Sequence, residues 1–476
     1  MNNHKINFVV VADLHHYSPT LGITGNAYTM RSESDQKMLA KTGALIRAAF
    51  DKMTSDDIDF ILIVGDVTNN GELSSHEEFR KMMYEYKQKK PIYIITSTHD
   101  WCSDNNPRRY DGDNVYNDVP SLKMHELTEF YKDFGLSEAL SVYTTPAGNA
   151  SYAVRPKEGL TVLCLNDDYN GEGGSGFSDE HIKWIKTQCD EAKKRNDNII
   201  GANHHPYLLT ELDKMINGSK SVEYKNLLAN KVANAGMPIA FVGHTHMQHI
   251  TRLKTDSGGE FYEINVAALS GYPAAMAYCT ATENQLKINV KYLEKFTYDG
   301  KEYTNEYLRN HATNLFTKVV KAAANNNLDE FVALVASIGM GRKKAAKLWR
   351  FLRLPIKKLD TATVKGTAKL INALTFGKGI DKKAAKEVGD ERVIDVVLEV
   401  FLNILDGGKE TVSEDSAKYK VIKDAISLPY RAVSTLRIKN PSLIKTLNQI
   451  QNIVKPIMTG GEIDSNNAII KFPTNN

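Results

Sequence analysis

The sequence predicts an α/β domain over residues 1–297 followed by an all-α domain over residues 298–476. Three observations predict it. Short apolar runs alternate with helical periodicity in the first part, helical periodicity alone fills the second, and the charge balance reverses between them. Residues 301–476 hold 29 Lys and Arg against 18 Asp and Glu, which leaves 31 basic and 39 acidic residues in 1–300. An asymmetry of this kind supports a domain boundary and raises an anionic partner for the second part. A chain of 476 residues is also longer than one core usually holds.

Ile6–Ala12 opens the first domain as a β-rich run, and a helix is expected over 34–53. Phe60–Val64 is a second strand, Glu77–Lys89 a helix, and Ile92–Thr96 a third strand. Continuous apolar runs separated by helices indicate sheets covered on both faces. Trp101–Pro120, rich in Asp, Asn, Pro and Gly, is expected to be an irregular functional loop. Later strands are expected at 160–165, 198–202, 239–242, 261–266 and 286–293, with helices at 178–194 and 222–234. The last of these strands lack intervening helices, which requires antiparallel pairing. From 298 onward, helices are expected at 306–324, 328–336, 342–351, 363–375, 382–388, 391–405, 413–426 and 441–457.

Several classes are excluded on this reading. The chain has no run of about 18 apolar residues, so no membrane span is expected. Its first residues are too weakly basic and the apolar run too short for a secretory signal. Cys102, Cys164, Cys189 and Cys279 are scattered with no CxxC pair, so reduced thiols and a cytoplasmic protein are expected.

Five clusters follow strand-like runs directly: Asp13-Leu-His15, Gly65-Asp66-Val-Thr-Asn-Asn-Gly71, Ser97-Thr98-His99-Asp100, Asn203-His204-His205-Pro206 and Gly243-His244-Thr-His246. In open α/β sheets, loops at strand C-termini share one crevice. Carboxylate and imidazole donors without thiolate suit Zn, Fe, Mn or related ions. A spacing of two on extended backbone turns Asp13 with His15, and His244 with His246, to one side. Glycines before Asp66 and His244 allow close backbone approach. Taken singly, a DxH is common, a Gly-Asp is a turn, and a buried His is a core residue. Together, buried Asp and His in this number require pairing or metal.

With those residues in place, the sequence resembles the calcineurin-like metallophosphoesterase family, and within it the bacterial phosphodiesterase branch. Asp66–Gly71 and Gly176-Phe-Ser-Asp-Glu-His-Ile-Lys-Trp184 carry the resemblance beyond the ligands. It covers roughly the first 290 residues and implies a β-sandwich flanked by helices. It also implies two divalent or mixed-valence transition-metal ions, with Mn, Fe or Zn as candidates. Asp13, His15 and His246 would hold one, His204 and His244 the other, and Asp66 would bridge them. His204 is preferred to His205 because the family pattern is His, any residue, Pro. The family usually has Asn where this chain has Thr98, so Thr98 is a candidate ligand of the second ion through a shorter hydroxyl.

The implied reaction is hydrolysis of a phosphate ester, first a phosphodiester and cyclic nucleotides among them, with a metal-bound hydroxide as nucleophile. A phosphomonoester is the alternative with the same site. His99 would donate a proton to the leaving group, and Asp100 would orient His99 or brace a turn. Arg108 and Arg109 are candidates for phosphate, Tyr110 and Tyr116 for stacking on a base, and Tyr272-Pro273 for lining the crevice. In the helical part, Ser337-Ile-Gly-Met-Gly341-Arg-Lys-Lys-Ala345 is similar to the hairpin of helix-hairpin-helix modules, which raises nucleic acid as a second partner. The preferred role for this domain is to pack on the enzyme's edge, cap the crevice or mediate dimer contact.

Overall fold

The computed structural model describes residues 5–172, 174–209, 219–325, 327–337, 341–343, 345–346, 349, 361–409, 412–435, 440–441, 444, 447–448, 451, 455, 458–459 and 461–473. The glycine hairpin expected at 337–345 has 338–340 and 344 outside these residues. Much of the helices expected at 342–351 and 441–457 lies outside them too.

The strands in chain order are β1 (Ile6–Val11), β2 (Phe60–Val64), β3 (Ile92–Ile95), β4 (Arg109–Asp111), β5 (Asn114–Tyr116), β6 (Ser141–Thr144), β7 (Ala150–Lys157), β8 (Leu160–Cys164) and β9 (Asn198–Ala202). They continue with β10 (Ile239–Val242), β11 (His249–Lys254), β12 (Glu260–Asn265), β13 (Ala275–Ala281), β14 (Gln285–Tyr292), β15 (Lys295–Tyr298), β16 (Lys301–Thr304) and β17 (Asn467–Lys471). One mixed sheet has the order β17-β14-β13-β1-β2-β3, the other β11-β12-β10-β9-β8-β7-β6. At their centres β1, β2 and β3 run parallel, as do β8, β9, β10 and β12. The flanking pairs are antiparallel.

Phe-Ile-Leu-Ile-Val of β2 and Leu-Thr-Val-Leu-Cys of β8 are buried at every position, as strands covered on both faces must be. The sheets meet as a sandwich. Phe8 of β1 packs edge-on against Phe241 of β10 at 6.0 Å, and the Tyr152 hydroxyl on β7 donates to the carbonyl of Ile94 on β3 at 2.8 Å. Outside the second sheet, the helix Asp179–Lys194 starts at Ser178, whose Oγ accepts from His181 N at 3.2 Å. Its apolar face, Ile185, Cys189 and Ala192, enters a cluster with Leu163, Val232 and Phe261.

Contacts divide the chain into two units. One comprises Met1–Leu208, Glu223–Arg309 and Asn466–Asn476, the other Leu209–Val222 and Asn310–Ser465. The second unit is helical, with helices at Leu328–Ser337, Val364–Leu374, Lys382–Val388, Val393–Leu405 and Ala417–Thr435. The chain returns at its end to the first unit, where β17 pairs antiparallel with β14 from Gln285↔Lys471 to Asn289↔Asn467. Among the described residues no helix is long and apolar enough to cross a membrane.

The helix expected at 34–53 begins only at Thr42, and a separate helix precedes it. Helices run at Asn26–Glu33 and Thr42–Ser55, with a bend between. Asp35 causes the break: its Oδ1 accepts from Lys37 N at 3.0 Å and its Oδ2 pairs with Arg31 at 2.5 Å. An aspartate that bonds its own backbone two residues on competes with the helix.

Candidate metal centre

The parallel strands aim their C-termini at one rim. Asp13 and His15 follow β1, Asp66 follows β2, His99 follows β3, His204 follows β9, and His244 with His246 follows β10. The fold brings these residues together. Ligand atoms of Asp13, His15 and His246 lie within 4.8 Å of one another, as do those of Asp66, His204 and His244 and those of His15, Asp66 and His99.

The separations are those of ligands around common points. His15 Nε2 and His246 Nε2 are 3.0 Å apart, and Asp13 Oδ1 lies 3.3 Å from His246 Nε2 and 3.7 Å from His15 Nε2. With metal–nitrogen bonds of about 2.1 Å, two ligands at a right angle stand about 3.0 Å apart. His204 Nε2 is 3.0 Å from Asp66 Oδ2, yet it is buried without a hydrogen bond. Asp66 Oδ2 is also 3.9 Å from His15 Nε2, so this carboxylate stands between the two groups.

The tautomers suit a cation. His15 Nδ1 bonds the Thr68 carbonyl at 3.3 Å and His204 Nδ1 the Val64 carbonyl at 2.9 Å. A carbonyl only accepts, so each Nδ1 carries the proton, and in the neutral ring Nε2 presents its lone pair. Burial, with the Lys37 charge adding to it, pushes His15 down to about 3, and at His244, exposed on the rim, desolvation of the ring followed by the neighbouring His205 and His204 takes it well below the ordinary range. Neutral imidazole is the form that ligates. Burial works against ionisation of Asp13 and Asp66, but imidazoles outweigh it, foremost His246 for Asp13 and His204 for Asp66, and both carboxyls stay low. Burial likewise disfavours the charged form of His204, but Asp66 outweighs it and raises the ring well above the usual value.

The backbone is shaped for these positions. Asp13, His15, Asp66, His244 and His246 all have positive φ, from 44° to 70°. Five non-glycine residues in this region within one site represent strain concentrated where function is. Gly65 and Gly243 serve differently from the close ion approach expected of them. A Cβ on Gly65 would collide with the His204 ring, and one on Gly243 would lie 2.6 Å from Asp13 Oδ2. The glycines make room for ligands from other strands.

Around this centre several expectations change. Asp100 does not touch the His99 ring: its Oδ1 accepts from Thr68 N at 2.9 Å and Thr68 Oγ1 at 3.0 Å, its Oδ2 from Ser97 N at 2.8 Å. It braces the two loops, which is the turn alternative, and burial, then the charge of Asp66, pushes it up to about 8. His99 is oriented instead by the Asn69 carbonyl, 2.7 Å from Nδ1, and its own N–H donates to Asp66 Oδ1 at 3.1 Å. Thr98 lies between Ser97 and His99, and its carbonyl accepts from Ser103 N at 3.1 Å. Arg109 pairs with Asp118 at 2.8 and 2.9 Å and lies over Tyr116, while Tyr110 is buried with Tyr17 and Tyr28. Their hairpin consumes these groups internally.

His205 belongs to a group the sequence reading overlooked. Asp167 Oδ1 is 3.1 Å from His205 Nδ1, and Asp168 Oδ2 accepts from Trp101 Nε1 at 2.9 Å. Asp167 and Asp168 follow the β8 run as the other clusters follow theirs, which was the available signal.

A sandwich of mixed sheets with paired His/Asp groups at one rim defines a metallophosphoesterase. The sequence agrees: residues 6–248, just over half of the chain, match the calcineurin-like phosphoesterase family, and the chain belongs to it. No curated protein sequence matches the chain. Solved structures that align with it include a dimetal phosphatase from Danio rerio (10% identity, 63% of this chain and 99% of that one, TM-score 0.40). A proposed 5'-nucleotidase from Staphylococcus aureus in complex with alpha-ketoglutarate aligns at 13% identity over 61% of this chain and 53% of that one, TM-score 0.35. A predicted phosphoesterase from Streptococcus pneumoniae aligns at 10% identity over 63% and 98%, TM-score 0.24. The family assignment rests on the sequence match and not on these.

Proposed function

We propose that the chain hydrolyses small phosphodiesters, cyclic nucleotides among them, in the manner of the bacterial phosphodiesterase branch, and works in the cytoplasm. One observation carries the reading: two groups of ligand atoms, each within 4.8 Å, with Asp66 standing between them. Resemblance over Asp66–Gly71 and Gly176–Trp184 supports the diester. All four cysteines are free and buried, which accords with a reducing compartment.

Asp13, His15 and His246 would hold one ion and His204 and His244 the other, with Asp66 shared between them and the Thr98 hydroxyl a further donor to the second. Bound there, Mn, Fe or Zn supplies positive charge to the phosphoryl oxygens and acidifies water. His99, its Nδ1–H fixed on the Asn69 carbonyl, would take a proton from water at Nε2 and pass it to the departing oxygen, because burial keeps the resting ring neutral. Asp100 keeps the loops carrying Asp66 and His99 at constant separation.

Metal analysis of the purified chain, followed by assay of cyclic nucleotides, bis-(p-nitrophenyl) phosphate and a monoester after metal add-back, tests this. Two ions per chain and preferential diester turnover are expected. Preferential monoester turnover would replace the diester reading, and absence of bound metal would end it.

A further inference from the structure

Outside the ligand set, the bend between the helices Asn26–Glu33 and Thr42–Ser55 carries an ammonium that no side chain pairs directly. Lys37 is only 6% exposed. Its ammonium has no hydrogen bond and no ion pair, although its backbone N–H donates to Asp35. Asp35 itself is committed, one oxygen to Arg31 at 2.5 Å and the other to that N–H at 3.0 Å. Arg31, Asp35 and Lys37 leave one positive charge over, and the further carboxylates that act on it, Asp66 and Glu72, make no direct ion pair with it.

This segment is fastened to the metal centre. Met38 N donates to the Ser270 carbonyl at 2.8 Å, and Ser270 N donates to the Asp13 carbonyl at 3.3 Å. Gly271 lets the Gln36 carbonyl approach: a Cβ there would stand 2.5 Å from that oxygen. The Lys37 charge reaches His15, His99 and Asp66. Burial lowers its own pKa, and Asp35 opposes that. Beside it, Gln36 Nε2 and Ser270 Oγ are buried polar atoms with no partner.

A buried ammonium without a direct ion pair or hydrogen bond is costly. Burying one next to two further cations is costlier still, unless an anion completes the site. A lysine is a compact point charge suited to a phosphate oxygen.

We propose that Lys37 binds a non-bridging oxygen of the substrate's phosphoryl group, so that the anion is held by a protein cation as well as by the ions at Asp66. This rests on the phosphoesterase reading above. It adds a positioning contact to that site and selects substrates whose phosphoryl group presents a free anionic oxygen on the Lys37 side.

The test uses the metal-loaded full chain and inorganic phosphate as probe, measured by calorimetric titration and as competitive inhibition of bis-(p-nitrophenyl) phosphate hydrolysis. Lys37→Met is expected to weaken phosphate binding at least tenfold, with two ions per chain retained and Tm not lowered. Lys37→Arg is expected to recover most of the affinity. If Lys37 only offsets the charge of Asp66 and Glu72, the Met variant binds phosphate within twofold of wild type, and the proposal is overturned. Lys37→Gln, which keeps length and polarity, gives the same reading should the Met variant not fold. Wild-type chain that binds neither metal nor phosphate would remove the phosphoesterase reading and this one with it. Unchanged phosphate affinity in the variants alone removes only the role of Lys37.

Discussion

Asp66 is the residue on which both ligand groups depend, because its carboxylate lies 3.0 Å from His204 Nε2 and 3.9 Å from His15 Nε2. Asp66→Asn keeps the shape but removes half of the donor capacity and the charge. Turnover is expected to fall on the order of 10³-fold or more, with less than two ions bound per chain. Wild-type rates from this variant would refute the assignment. His99 predicts a different pattern, since its ring is tied to the Asn69 carbonyl and belongs neither to the group of Asp13, His15 and His246 nor to that of Asp66, His204 and His244. His99→Ala is expected to lower kcat about 10²- to 10⁴-fold with metal content unchanged. A loss of metal in parallel with activity would make His99 a ligand instead. His15, Asp66 and His246 could be picked out by residue type and spacing alone. Asp167 and Lys37 could not, because the first needed His205 beside it and the second needed the Ser270–Asp13 tie to become meaningful.

At the scale of elements, the loops at the rim are held by strands that must keep their register. Asp197, between the helix Asp179–Lys194 and β9, joins several of them. Its oxygens accept from Arg155 on β7 at 2.8 and 2.7 Å, from Thr161 on β8 at 2.9 Å, from Gly159 N at 3.1 Å and from Arg195 at 3.2 Å. Removing it strands two guanidinium groups, and Asp197→Ala is expected to cost about 3–5 kcal/mol. Burial opposes its ionisation, but Arg155 and Thr161 outweigh burial and hold the carboxyl below its ordinary value. A depressed folded pKa gives stability that is complete above the unfolded value, about 3.9, and is lost as pH falls through the folded one. The Tm gap between wild type and Asp197→Asn should therefore be widest near pH 7 and narrow below about pH 4. A gap independent of pH would mean the pairs contribute through packing alone. The continuous apolar strands β1, β2, β9 and β10 were legible because burial on both faces writes an uninterrupted run. The strands β6, β7, β11 and β13 were not. β6 and β11 lie at sheet edges, β6 alternating half-buried and exposed positions and β11 burying only Ile250, and β13 is built largely of small residues.

For the molecule as a whole, the metal centre joins both sheets, since Asp13, Asp66 and His99 come from one and His204, His244 and His246 from the other. Ions that bind the folded chain and not the unfolded one stabilise it by mass action, about 4 kcal/mol at a thousandfold excess over Kd. Chelation is expected to lower Tm and abolish turnover together, and add-back of Mn, Fe or Zn to restore both, as read by thermal melts at fixed protein concentration. Unchanged Tm after complete metal removal would show that the strained loops at Asp13 and Asp66 do not need the ions to hold their shape.

Local order determined a good deal of this protein. The residue types of the ligands, their position behind apolar runs, the α/β character of the first part and the helical character of the second are all properties of short stretches. Periodicity and spacing are local, so they survive in a single chain of letters. What only the tertiary structure decided are the relations between distant stretches: the return of β17 to β14, the assignment of Asn69 rather than Asp100 to His99, the glycines that admit His204 and Asp13, and the Lys37 ammonium that no side chain pairs directly. Each of these depends on which groups are left without a partner after the sheets have packed, and that is a property of the whole fold.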